Sequence, residues 1–173
     1  TRRADSIQAR AAEHLRTLGD WQVILDDDGT GEVADLVALR VDRQALVVHL
    51  VHCKFVRGGR PRQQVADLYE VCGQAHKSTT YRRNVTAMVH KLIKRETLRL
   101  RRGEPTGFLK GSVDDLHAIL DQAPRLRPAF HITVAQPGLT QARATEPQLQ
   151  LLAAADIFVR DTANADFDAW CSS

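Results

Sequence analysis

The run from Glu32 to Phe55 constrains the fold more than any other stretch of the chain. It reads EVADLVALRV, then Asp42 to Gln44, then ALVVHLVHCKF. Both halves are rich in β-branched residues, and the break between them leaves room only for a tight turn. Two adjacent strands are therefore expected, Glu32 to Val41 and Ala45 to Phe55. Ahead of them, Ile7, Ala11, Leu15 and Leu18 recur at helical spacing over residues 5 to 18, and Gly19 ends the run. Trp21 to Leu25 reads as a short strand. Asp26 to Gly31 (DDDGTG) reads as a turn rather than a metal cage, because it lacks the downstream glutamate and spacing of a calcium loop.

After Phe55 comes a basic loop, Val56 to Arg62, and then a helix from about Gln63 to Lys77 with Val65, Leu68, Tyr69 and Cys72 as its apolar stripe. A second helix covers about Asn84 to Leu98, with Asn84 as its N-cap. A short element at Gly107 to Lys110 precedes a helix at Val113 to Asp121. Ala129 to Ala135 reads as a strand, Pro147 to Thr162 as a helix with Leu149, Leu152 and Ile157 on its apolar side, and Phe167 to Cys171 as an edge strand. No linker or repeat interrupts this pattern. The expectation is one α/β domain over residues 1–173, with a mixed central β-sheet flanked by helices. Its core spans about residues 5–77, and a basic, sheet-completing part follows over 78–173.

The charges are segregated. Between Ala4 and Asp35 stand Asp5, Glu13, Asp20, Asp26, Asp27, Asp28, Glu32 and Asp35 against Arg10 and Arg16. Between Lys77 and Lys110 the bases include Arg82, Arg83, Lys91, Lys94, Arg95 and Arg99, against Glu96 and Glu104. Such a pattern suits a carboxylate site beside a polyanion track, and it equally suits two solvated faces of opposite sign. The longest apolar runs, such as Ala45 to Val48, are too short to cross a bilayer, so no membrane partner is expected. Cys53, Cys72 and Cys171 give neither a disulfide framework nor a CxxC pair, which fits a reducing cytoplasm.

Strand alternation puts Leu50, His52 and Lys54 on one face and His49, Val51 and Cys53 on the other. Asp35 on the neighbouring strand can meet His52 and Lys54 at a common point. A carboxylate holding a hard divalent cation, with a lysine beside it, is what phosphodiester hydrolysis needs. The same alternation turns Cys53 away from its histidine and lysine neighbours. Glu32, three residues before Asp35, falls on the opposite face unless the strand starts later.

GEVADLVAL followed by VVHLVHCKF resembles the PD-(D/E)xK nuclease superfamily, which includes restriction endonucleases and Holliday-junction resolvases. The resemblance covers roughly residues 5 to 77. It implies a restriction endonuclease-like core, with Asp35 as metal ligand and Lys54 as the catalytic lysine. His52 stands where the family has Asp or Glu; an imidazole suits Mn²⁺ better than Mg²⁺. In some members the missing acid lies on the following helix, where this chain has Asp67, Glu70 and Gln74 on one face at i, i+3 and i+7. The same face reads equally well as the polar side of an amphipathic helix. The family acid of the first helix maps onto Gln8, with Glu13 the nearest carboxylate. AFHITVAQPGLT and EPQLQLLAAADIFVRDT resemble the end of nuclease-type domains appended to bacterial helicase-like defence proteins, and the start at Thr1 suits a module of a larger machine. The resemblance implies a metal-dependent DNA endonuclease using Mg²⁺ or Mn²⁺. Arg57, Arg60, Arg62, Lys77, Arg82 and Arg83 would lie along the phosphates. A helicase or ATPase domain or subunit, or a second copy in a homodimer, would be its partner. Two rival readings stay open: an inactive nuclease-fold DNA-binding module, for which His52 and Gln8 speak, and a protein-interaction domain.

Overall fold

The computed structural model describes residues 6–54 and 65–171. The elements along the chain are α1 (Ile7–Thr17), β1 (Val23–Asp26), β2 (Leu36–Asp42), β3 (Ala45–Cys53), α2 (Val65–Ser78), α3 (Val85–Arg101), β4 (Phe108–Lys110), α4 (Val113–Gln122), β5 (Arg127–Gln136), α5 (Glu146–Ala163) and β6 (Asp166–Cys171). The strands form one mixed six-stranded sheet in the order β4-β1-β2-β3-β5-β6. β4, β1, β2 and β3 pair antiparallel, whereas β5 runs parallel to β3 and β6 parallel to β5. The protein is thus an α/β fold with helices on both sides of a mixed sheet.

Period-two alternation divides the sheet between two cores. Even-numbered β3 residues Leu46, Val48 and Leu50 join Val37, Leu39, Ile132 and Val134 beneath α2, α3, α4 and α5. On the other side, Leu36, Ala38 and Val51 meet Ala11, Ala12 and Leu15 of α1, and Trp21. Each fully buried leucine or valine stabilises the fold by about 1.5–3 kcal/mol. Local signals set the boundaries. The Ser6 hydroxyl accepts from Ala9 N at 3.1 Å, and the Asn84 side chain accepts from Ala87 N at 3.0 Å, as its N-cap role requires. Arg43 takes a left-handed φ of 52° in the β2–β3 turn.

Two helices turn a different side inward than their sequence stripes suggested. In α2 the buried residues are Leu68, Val71, Cys72 and Ala75, while Val65 is 40% and Tyr69 70% exposed. In α5 Ala155, Val159 and Ala163 are buried, whereas Leu149 and Ile157 face solvent. These two helices pack against each other, and small side chains allow the close approach that larger ones would block. A further difference bears on function. β2 begins at Leu36, not Glu32, so the segment before it is irregular and alternation does not govern it. Among the described residues no helix is long and apolar enough to cross a membrane.

Candidate metal centre

The loop between β1 and β2 is built from its own acidic side chains. Asp27 is buried, and its Oδ2 accepts from Val33 N at 2.7 Å. Asp27 N donates to Asp35 O at 3.1 Å, and Gly29 N donates to Glu32 Oε2 at 2.9 Å. Gly29 and Gly31 have φ values of 128° and 79°, which a side chain would resist. α3 then clamps the loop from outside. Arg95 donates to Asp27 Oδ1 at 2.5 Å and to the carbonyls of Asp27 and Thr30, each at 2.7 Å. Arg99 donates to Asp26 O at 3.0 Å, and Lys91 to Glu32 O at 3.3 Å. The acidic and basic segments of the sequence therefore meet, and part of the basic segment acts as scaffold rather than as open phosphate track.

The clamp brings Asp28 and Glu32 beside Asp35. One carboxylate oxygen from each lies within 4.8 Å of the others, the only such cluster of metal-ligating side chains among the described residues. Glu32, expected across the strand from Asp35, is its neighbour because β2 starts after both. Asp28, expected to serve only a turn, joins them. Asp35 Oδ2 accepts from Cys53 N at 2.8 Å, tying the cluster to β3. Burial, aided by the charges of Glu32 and Asp28, pushes the Asp35 carboxyl up to about 7, outweighing the Cys53 hydrogen bond. Burial also raises Glu32. Crowded oxygens that resist ionising together fit a hard divalent cation, which takes carboxylate oxygens and relieves their repulsion. Asp27, equally close in sequence, is instead matched by Arg95, although burial leaves its carboxyl raised.

Lys54 ends β3 with its ammonium against Glu70 Oε2 and 3.7 Å from Asp67 Oδ1. The structure thus places Asp67 and Glu70 on the lysine and not in the carboxylate cluster. His52 also stands outside that cluster. It is 2% exposed, and its Nε2 lies 2.9 Å from the buried Ser78 hydroxyl. Burial pushes its imidazole down to about 4, so it is neutral. A cleft of about 640 Å³ is lined by Asp28, Glu32, His52, Gln74, Lys77, Ser78, Tyr81 and Lys91, while Asp35 and Lys54 do not line it. Gln8 donates to Asp26 Oδ1 at 2.9 Å, next to the cluster's loop, whereas Glu13 is exposed on α1. Arg82 is half-buried and Arg83 exposed beyond the end of α2. Arg57, Arg60 and Arg62 lie outside the described residues.

Sequence reasoning missed Asp28, Glu32 and the Arg95 clamp. The available signal was the density of carboxylates and glycines just before Asp35, which the strand assignment set aside. Comparison with known protein families, curated proteins and solved structures finds no match to this chain. Its function is therefore argued from the residues themselves.

Proposed function

We propose that the chain is a metal-dependent DNA endonuclease of the PD-(D/E)xK type, hydrolysing phosphodiester bonds. The observation that carries this reading is the clustering of Asp28, Glu32 and Asp35 one strand away from Lys54. The order helix, strand, acidic strand, lysine strand, helix supports it, as does the antiparallel β1-β2-β3 arrangement with β5 parallel to β3. Mg²⁺ or Mn²⁺ bound by the three carboxylates would polarise the phosphate and acidify a water. Cys53 N holds one Asp35 oxygen and Gly29 N one Glu32 oxygen, which fixes both carboxylates before a cation arrives. Asp67 and Glu70 orient Lys54, whose ammonium faces charge developing on phosphorus. Lys77, Arg82 and Arg83 supply phosphate contacts independent of base sequence. The cytoplasm is the compartment, and a helicase or ATPase domain, or a second copy, is the partner class we expect.

One observation favours the rival, an inactive DNA-binding module: neutral His52 is bonded to Ser78 where the family has an acid. Supercoiled and linear DNA incubated with Mg²⁺ or Mn²⁺ separates the two. Cleavage that falls at least about a hundredfold in both Asp35→Ala and Lys54→Ala supports the nuclease. Salt-sensitive binding without cleavage under either metal selects the rival.

A further inference from the structure

Three cations of α3 reach the acidic loop, and one of them keeps its charge unpaired. Lys91, Arg95 and Arg99 recur at i, i+4 and i+8, which sets them on one face of the helix. Arg95 is matched by the buried Asp27 carboxylate, and Arg99 lies 4.0 Å from Glu96 Oε2. Lys91 differs. Among the described residues its ammonium donates to Tyr81 Oη at 2.8 Å and to Glu32 O at 3.3 Å, and neither acceptor is a carboxylate. An ammonium has three protons, so one donor remains. Lys91 is half-buried, where a cation without a counter-ion is unfavourable, so its placement points to an anion that arrives from outside.

The surroundings say where that anion sits. Lys91 lines the same cleft as Asp28 and Glu32, two of the three clustered carboxylates. Because it holds the backbone carbonyl of Glu32, its ammonium stands close to the residue that also supplies a carboxylate to the cluster. Neither neighbouring lysine is as well suited. Lys54 has its ammonium against Glu70 and 3.7 Å from Asp67, and it does not line the cleft. Lys77 lines the cleft but is exposed, and among the described residues no bond fixes its ammonium. Lys91 is held from two sides, so it loses less freedom on meeting a phosphate.

We propose that Lys91 is a substrate-contact residue of this cleft, donating its third proton to a DNA phosphate beside the carboxylate cluster, with Tyr81 as its positioning residue. The proposal rests on the nuclease reading for the identity of the anion. It deepens that reading by adding a phosphate contact on α3 to the lysine of β3.

The test measures binding of a fluorescein-labelled DNA duplex by anisotropy across a KCl series, with Ca²⁺ in place of Mg²⁺ or Mn²⁺. Lys91→Gln should weaken binding about tenfold and reduce the slope of log K against log[salt] by about 0.9, the loss of one phosphate contact. Lys91→Arg keeps the charge and should restore the slope. Tyr81→Phe also keeps the charge, and should weaken binding about threefold at an unchanged slope. Lys94→Gln, an exposed position of the same helix outside the cleft, should leave affinity and slope as in the wild type. A purely structural role would lower the melting temperature of Lys91→Gln and leave its slope at the wild-type value, which overturns the proposal. An equal loss in Lys94→Gln overturns it too. Cleavage with Mn²⁺, measured alongside, separates this contact from the nuclease reading. A protein that binds with a Lys91-dependent slope and never cleaves refutes the nuclease and keeps the contact. One that cleaves while Lys91→Gln retains wild-type affinity and slope refutes the contact alone. Absence of DNA binding by the wild type overturns both.

Discussion

His49 and His52 stand three residues apart on β3, on opposite faces of one sheet, and both are almost wholly buried. Burial drives both imidazoles down, His49 to about 3 and His52 to about 4, so both are neutral. Their surroundings differ. Beneath α1, His49 Nε2 meets the Thr133 hydroxyl at 2.8 Å, and its ring packs against Trp21, His131 and Trp170. His131 in turn meets Asp168 at 2.6 Å. Arg40 Nε, stacked over Trp21 on the same side, is buried without a partner among the described residues. On the α2 side, His52 keeps one nitrogen unmatched, and the carboxylates of Asp28, Glu32 and Asp35 crowd one another. The two buried histidines differ in one ring nitrogen, His52 Nδ1, which has no partner among the described residues.

The sharpest way to break this comparison is to remove one group from each side. Asp35→Asn should reduce metal-dependent DNA cleavage by about a thousandfold in a gel assay, on the scale of losing one electrostatic stabiliser of the transition state. His49→Gln, on the α1 side, should change it less than about threefold. Comparable losses in both variants would erase the distinction.

Next in size is the clamp. Arg95→Ala strips the buried Asp27 carboxylate of its partner and should cost about 3 kcal/mol in urea unfolding. His131→Ala removes a half-exposed pair with Asp168 and should cost about 0.5 kcal/mol. A small loss for Arg95→Ala would mean that the acidic loop holds itself together.

Metal addition follows. Mn²⁺ at a hundred times its dissociation constant should stabilise the native state by about 2.7 kcal/mol, read as a Tm rise of about 5–10 °C. The rise should vanish in Asp35→Asn and persist in His131→Ala. An unchanged rise in Asp35→Asn would move the cation elsewhere.

The pH dependence gives the two histidines and Asp35 opposite signs. His49 and His52 have folded pKa values below the usual 6.5, so their contribution is complete above 6.5 and is lost as pH falls toward 4 and 3. Asp35 has a folded pKa raised from 3.8 to about 7, so in EDTA its contribution declines as pH rises through that window. His49→Gln should therefore flatten the acid-side loss of stability in a denaturation series from pH 4 to 8. Asp35→Asn should gain on the wild type as pH rises from 4 to 8, and no relative gain would place its carboxyl in an ordinary environment. A modest effect lies away from both faces: Asn84→Ala should cost about 1 kcal/mol in urea unfolding through loss of the α3 cap.

Much of the fold was legible along the chain because its determinants are local. Alternation from Ala45 onward, the turn at Arg43, the Asn84 cap and the strand bounded by Pro137 depend on neighbours within a few residues, and each element lies close to its expected place. Period two placed His52 and Lys54 on one side of β3, but the structure sets His52 against Ser78 and Lys54 against Asp67 and Glu70, apart from the cluster around Asp35. The inward sides of α2 and α5 were not readable. Which stripe is buried depended on Cys72, Ala75, Ala155 and Val159 fitting one another across a long separation, and hydrophobicity alone favoured the larger Tyr69 and Ile157.

The carboxylate cluster shows the same division. Carboxylates and glycines before β2 announce an irregular acidic loop, because glycine admits backbone that other residues avoid and like charges disfavour regular packing. Their convergence on Asp35 required Arg95 and Arg99 from a helix some seventy residues later. Local patterning has a short range, set by the period of a strand or a helical turn. Coulombic and hydrogen-bonding partners can come from anywhere along the chain, so the loop's final shape, and the choice of which acids remain for a ligand, emerged only once α3 had packed.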